Sequence, residues 1–218
     1  MPQNAVVTGT SNEDQTNGPI QNGPLSGLRV LDFSMFMAGP YCSRLLADAG
    51  AEVIKVEPPE GDYMRKSNPL RGNYSGFFGH LNCGKKSITL NLKDPSDRAV
   101  IDALMPSIDV VLENFRPGVT QRLGLTYDDL RALRPDLVYC SVSGYGQTGP
   151  AAQLPAYAPI VHAASGHDLA QMGDDPRQDR PIPNRSTAAD ILAATHAFGG
   201  ICAALVHRQN GGGGDHGD

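Results

Sequence analysis

The sequence predicts an α/β fold, a Rossmann-like parallel sheet with flanking helices, and three observations carry that expectation. Short runs rich in Val, Ile and Leu recur along the chain. Amphipathic stretches with a helical period fall between them. Residues 28–57 also read as strand, helix, strand, which is the extent of one βαβ unit.

Residues 1–24 are rich in Asn, Gly, Thr, Gln and Pro and hold few large apolar groups, so they are expected to form a flexible tail. Order is expected from Leu25, with a first strand over LRVLDF at 28–33 and a loop to Pro40. A helix follows, in which Pro40 suits the first turn and Tyr41, Leu45, Leu46 and Ala49 recur at helical spacing before Gly50. Residues 51–57 read as the second strand, stopped by Pro58 and Pro59.

The alternation continues with a strand at 87–92 and a helix from Pro95 to Pro106 that turns Val100, Ile101 and Leu104 inward. A strand at 109–113 opens into the loop NFRPG. Thr126 is placed at the N-cap of a short helix running to Leu133, and residues 137–143 form a further strand. After a polar stretch at 173–185, a long apolar helix is expected from Thr187 to Arg208. Its buried stripe would be Ile191, Ala194, Phe198, Ile201, Cys202 and Leu205. Residues 210–218 read as a Gly-rich turn with no element after it.

Composition narrows the function. The 218 residues are 40% hydrophobic, enough for a core, and the formal charge of −5 argues against a general nucleic-acid binder. Cys42, Cys83, Cys140 and Cys202 form no C-x-x-C pair, so a reduced, cytoplasmic protein without a zinc site is expected. No export leader and no membrane-spanning stretch is read in the chain. The G-x-G-x-x-G fingerprint is missing, so nicotinamide and flavin are not expected.

Six motifs in one order then carry a resemblance: GLRVLDF at 27–33, AGP at 38–40, LADAGAEVIKVE at 46–57 with GD at 61–62, NCGKKS at 82–87, ENFRPG at 113–118 and SGYG at 143–146. Together they resemble the family III CoA-transferases, to which formyl-CoA transferase and carnitine CoA-transferase belong and whose fold the α-methylacyl-CoA racemases share. The likeness runs from Leu25 to Asp215. It implies that residues 25–209 are the N-terminal portion of a Rossmann-like, CoA-binding large domain, incomplete because family members continue into a second, smaller domain. A homodimer, or a heteromer with a chain supplying that domain, is the implied assembly.

The resemblance also implies site residues. Asp190 falls where the family has its catalytic aspartate, and the family's CoA contacts fall on Phe36, Met37, Ala38, Leu90, Lys93, Asn114, Phe115 and Arg122. The implied activity moves CoA from an acyl-CoA thioester to a carboxylic acid through a covalent aspartyl intermediate, with CoA as substrate and no tightly bound cofactor or metal. From the residues alone, Asp190 in a helix's first turn also fits a cap, since Thr187 and Asp190 have capping-box spacing. Lys85, Lys86, Lys93, Arg116 and Arg122 could meet phosphates or form a solvated charged face.

Met37 departs from formyl-CoA transferase, which has a glutamine there; a larger or more apolar acyl group is expected instead. Two rivals remain. An acyl-CoA racemase would need a His-Asp pair where this chain has Tyr157 and Ala158, and a catalytically silent CoA-binding or assembly subunit would need no nucleophile. His162 and His167 are read as structural.

Overall fold

The computed structural model describes residues 23–172, 179–181 and 186–218. Strand β1 (Arg29–Asp32) leads through α1 (Ala38–Asp48) to β2 (Glu52–Glu57). A hairpin of β3 (Leu70–Arg71) and β4 (Tyr74–Ser75) and the helix α2 (Gly76–Asn82) precede β5 (Lys86–Thr89). Then come α3 (Pro95–Leu104), β6 (Val110–Glu113), α4 (Val119–Leu123), α5 (Tyr127–Arg131) and β7 (Val138–Ser141). Helices α6 (Ala158–Ala164), α7 (His167–Met172) and α8 (Ala188–His207) lead to β8 (Asp215–Gly217).

The main sheet has six strands in the order β5-β2-β1-β6-β7-β8, all parallel. Alternation along each strand feeds two cores. Val30, Val53, Val110 and Leu112 face α1 and α8, while Leu31, Ile54, Val56 and Val111 face α3, α4 and α5. Both faces are covered, which is why the strands read as continuous apolar runs rather than alternating ones.

Several expectations change. The terminal Gly-rich turn does lead to an element: residues 215–217 extend the sheet beside β7, with Val138 opposite Asp215 and Tyr139 opposite His216. Strand β8 has none of the apolar content that marks a strand in sequence; backbone pairing and the packing of His216 on Tyr127, 5.3 Å between ring centroids, hold it instead. Val100 is 41% exposed and Ile191 46% exposed, so neither lies on its helix's buried stripe.

Helix α8 is also long and apolar enough to cross a bilayer by length and composition, against the expectation that no segment is. Within the fold one side of it is used as core: Ala194, Ile201 and Leu205 pack with Cys42 and Leu46 of α1. The expected tail lies outside the described residues up to residue 22, and so does most of the polar stretch at 173–185. Gly23 already belongs to the fold, accepting the Ser26 N–H at 3.0 Å.

Charged groups are built into the C-terminal ends of the central strands. Asp32, fully buried, accepts from the Ser34 N–H at 2.9 Å, the Ser43 hydroxyl at 2.6 Å and Lys85 Nζ at 3.1 Å. Lys85 also donates to the Pro40 carbonyl and to Asn82 Oδ1, both at 2.8 Å. Beside this pair, Lys55 reaches Asp62 at 2.9 Å and the Ser34 carbonyl at 2.6 Å. Burial alone would raise the Asp32 carboxyl; the Lys85 and Lys55 ammoniums and the serine hydroxyls outweigh it and hold it at about 2.

Removing one partner of such a pair strands a buried charge. Lys85→Met is therefore expected to cost about 3–5 kcal/mol in chemical denaturation at pH 7, and pairing it with Asp32→Asn should recover most of that loss. The Asp32 pKa lies below the ordinary 3.8, so its contribution is complete above that value and fades as pH falls toward about 2. The gap between wild type and Lys85→Met should accordingly narrow in acid.

Candidate functional site

In an open parallel sheet, ligands settle in the crevice beyond the strand C-termini where the chain reverses its direction of growth across the sheet. That reversal lies between β1 and β6: from β1 the chain adds β2 and β5 on one side, then crosses to β6, β7 and β8 on the other. The two loops at the reversal are residues 33–37 after β1 and residues 114–118 after β6. They are tied to each other by Asn114, whose Nδ2 donates to the Met35 carbonyl at 2.7 Å and whose Oδ1 accepts the Met35 N–H at 2.8 Å.

The first loop is held in an uncommon shape. Phe36 has φ of 67°, a left-handed conformation that a bulky residue adopts only when its surroundings enforce it. The Asn114 bonds on one side and aromatic contacts on the other supply that enforcement: the Phe36 ring lies 5.5 Å from Tyr63 and 6.4 Å from Tyr157, between centroids. Gly39 allows α1 to begin at once, because a Cβ there would come within 2.2 Å of Ser34 Cβ.

A cavity of about 460 Å³ opens beyond these loops. Phe36, Met37, Ala38, Asn114, Phe115, Tyr157 and Asp190 all line it, although Asp190 comes from α8, far along the chain. A second cavity of about 430 Å³ shares Met35 and Phe115 with the first and is lined by Leu90 and Lys93. Arg122 lines neither; it is exposed on α4, with its guanidinium near Gly118.

Asp190 is the third residue of α8 and half-buried. Burial pushes its carboxyl above the ordinary aspartate value, against the lowering influence of its own N–H. The helix start was expected to favour the anion, and here loss of water outweighs the N–H groups. The Thr187 capping reading also changes, since Thr187 makes no side-chain cap bond. The Ala189 N–H instead donates to His162 Nε2, at 3.1 Å. Sequence spacing gave no sign of this partner, which comes from α6.

Of the basic candidates, Lys85 is committed to the buried Asp32 pair with 1% of its side chain exposed, so it cannot serve a phosphate. Lys86 pairs with Glu52 at 2.7 Å. Lys93 and Arg116 are exposed and line the second and first cavities respectively, and Arg122 is exposed on α4.

Comparison with known proteins gives one consistent result. The profile of CoA-transferase family III matches residues 25–218. Acetyl-CoA:oxalate CoA-transferase of Acetobacter aceti is 43% identical over 195 residues, covering 89% of this chain and 50% of that protein. Succinyl-CoA–D-citramalate CoA-transferase of Chloroflexus aurantiacus is 45% identical over 195 residues, covering 87% and 47%. The crystal structure of a CAIB/BAIF family protein from Brucella suis superposes with a TM-score of 0.83 at 37% identity, covering 91% of this chain and 53% of that one. The chain thus spans about half the length of the curated relatives it matches.

A carboxyl whose pKa is raised on folding makes the fold less stable once it ionises. Stability from this group is complete below the ordinary value of 3.8 and is lost as pH rises through the higher folded value. Asp190→Asn is therefore expected to match wild type in acid and to melt higher than wild type at pH 7, as measured by calorimetry at both pH values. A wild type at least as stable as the variant at pH 7 would contradict the burial argument.

Proposed function

This chain belongs to CoA-transferase family III, and from that membership we infer that it carries the CoA-binding half of an enzyme that transfers CoA from an acyl-CoA thioester to a carboxylic acid, with Asp190 as nucleophile. The observation that supports this most is the shared cavity: Asp190 lines the same space as Phe36, Met37, Ala38, Asn114 and Phe115, and a second cavity with Leu90 and Lys93 adjoins it.

In the proposed cycle an Asp190 carboxylate oxygen attacks the thioester carbonyl carbon and the C–S bond breaks, leaving an acyl-aspartyl anhydride and CoA thiolate. The thiolate attacks the aspartyl carbonyl, releases the donor carboxylate and leaves an aspartyl-CoA thioester. The acceptor carboxylate then attacks that thioester carbonyl to give a mixed anhydride, and the released thiolate takes the acceptor's acyl group, regenerating Asp190. Each step trades one activated acyl bond for another, so the thioester's energy is kept. The raised pKa makes Asp190 a stronger nucleophile once ionised.

Lys93 and Arg122 are proposed to meet CoA phosphates from the exposed rim, where charged side chains remain hydrated until the ligand arrives. The apolar lining of the Asp190 cavity, Met35, Met37, Val142 and Val161 among it, suits the acyl chain. Coenzyme A enters as substrate. The relatives' names pair CoA with oxalate and with D-citramalate, and an acid of that class is the proposed acceptor. The proposal extends to a cytoplasmic dimer or heteromer, supported by the exposed apolar side chains of Ile191, Leu192 and Val206 on α8. The racemase alternative is disfavoured because Tyr157, not a histidine, lines the cavity.

Two measurements test this reading. Incubation with acyl-CoA followed by hydroxylamine trapping and mass spectrometry should place the adduct on the peptide containing Asp190. Asp190→Asn should abolish the adduct and lower turnover by at least about 10³-fold; a fully active Asn variant would refute the nucleophile. For the phosphate contact, Arg122→Ala should weaken CoA binding about tenfold and flatten its salt dependence in calorimetric titrations at two ionic strengths. Equal affinities would remove Arg122 from the site.

A further inference from the structure

His162 is 2% exposed, and it sits on α6 beneath the start of α8. Its Nε2 accepts the N–H of Ala189, one of the first-turn amides that an α-helix cannot satisfy internally. The residue placed to do this locally, Thr187, makes no such bond. The imidazole of another helix has taken over the capping role, and the residue after the anchored amide is Asp190.

The bond fixes the ring's protonation. A nitrogen that accepts an N–H carries no proton, so the neutral imidazole must hold its proton on Nδ1. That Nδ1 is buried and has no hydrogen-bond partner among the described residues, and the same is true of Asp168 Oδ1. The two face each other 4.0 Å apart, a donor and an acceptor with no other partner among the described residues. A small shift of the Asp168 side chain, or one bridging water, completes the contact.

The same cluster has the composition of a metal site, since ligand atoms of His162, His167 and Asp168 lie within 4.8 Å of one another. The tautomer argues against that use. A cation on Nδ1 would drive the ring proton to Nε2, where it would point at the Ala189 N–H, donor against donor. The His167 ring lies tilted beside His162, 4.6 Å between ring centroids, and with Asp168 and Asp190 it forms the titratable surroundings of the ring among the described residues.

We propose that His162 is a positioning residue for Asp190: an imidazole, oriented by the Asp168 carboxylate, that pins the first turn of α8 and so fixes where the nucleophile stands in the cavity wall. This rests on the reading of Asp190 as nucleophile.

The test separates the anchor from the chemistry. Nitrogen NMR of the His162 ring at pH 7.5 should report the Nδ1–H tautomer; the Nε2–H tautomer, or tight zinc binding that perturbs Nδ1, would overturn the proposal. In His162→Leu the Ala189 amide should exchange about tenfold faster, and the single-turnover rate of adduct formation at Asp190 should fall by about the same factor or more with CoA affinity unchanged. In His162→Gln, whose Oε1 can accept the same N–H while its NH₂ faces Asp168, both should return to within about twofold of wild type. An unchanged adduct rate in His162→Leu, or no rescue by glutamine, would overturn the positioning role.

If His162→Leu does not fold, Asp168→Asn reads the same ring, and a smaller loss of Nδ1–H population and of adduct rate is expected; no change in either overturns the proposal. A wild type that forms no adduct at Asp190 sinks the nucleophile and the positioning role together, and the tautomer and amide results would then describe a structural cap alone.

Discussion

Asp32 is a carboxylate with no access to water, and the chain around the end of β1 is arranged to keep it charged. Lys85 brings in the connection between α2 and β5, Ser43 brings in α1, and Ser34 begins the loop that carries Phe36 and Met37. Each donor belongs to a different segment, so a single buried charge ties four pieces of backbone at the place where the sheet reverses direction. Lys55 and Asp62 repeat the device one strand over, and Glu57 with Arg65, at 2.6 Å, continues it outward. The loop at residues 33–37 has no regular secondary structure of its own; its shape comes from this network below and the Asn114 bonds above. A strained Phe36 can persist there because both sides are fixed.

That rigidity has a consequence for the site. The cavity wall made by residues 35–38 and 114–115 is braced from within the protein: Asn114 takes both backbone groups of Met35, the Met37 carbonyl accepts the Tyr41 N–H, and the Phe115 N–H donates to Glu113. Asp190 is different in kind, because it arrives on α8 and depends on how that helix starts. The reacting group proposed for the cavity is therefore placed by a second, independent anchor, the His162 bond to Ala189. The loops and Asp190, which line one space, are thus held by separate polar contacts.

The contrast between two pairs of residues explains what the sequence could reveal. Thr126 and Asp129 have capping-box spacing, and the structure forms that box in full. Thr187 and Asp190 have the same spacing, and it goes unused because an imidazole from α6 competes for the helix start. Local spacing is readable when nothing remote intervenes, and no pattern along the chain signals a remote competitor. The strands of the central sheet are legible for the same reason: a short apolar run between helical stretches has few other stable uses. Strand β8 was missed because Asp215, His216 and Gly217 carry no such signal and owe their conformation to β7. Lys85 and Lys93 look alike in sequence, yet one lies under the end of β1 and the other on an open rim. The buried stripe of α8 was misjudged at Ile191 because the helix is apolar nearly all round, so the period locates a face without setting its edges.

Asp32 and Asp190 are chemically the same side chain, both at the ends of secondary-structure elements beside the same cavity region, and their environments drive them in opposite directions. Asp32 loses all its water but gains an ammonium at 3.1 Å and two serine hydroxyls, and its carboxyl falls to about 2. Asp190 loses part of its water and gains only its own N–H, and its carboxyl rises. A carboxylate stabilised as Asp32 is makes a poor nucleophile, because every lone pair is engaged and attack would have to break those bonds. One left under-solvated, as Asp190 is, keeps its electron pairs available at a cost to folding. The division matches what each must do: the charge that organises the fold is neutralised completely, and the charge proposed to react is not.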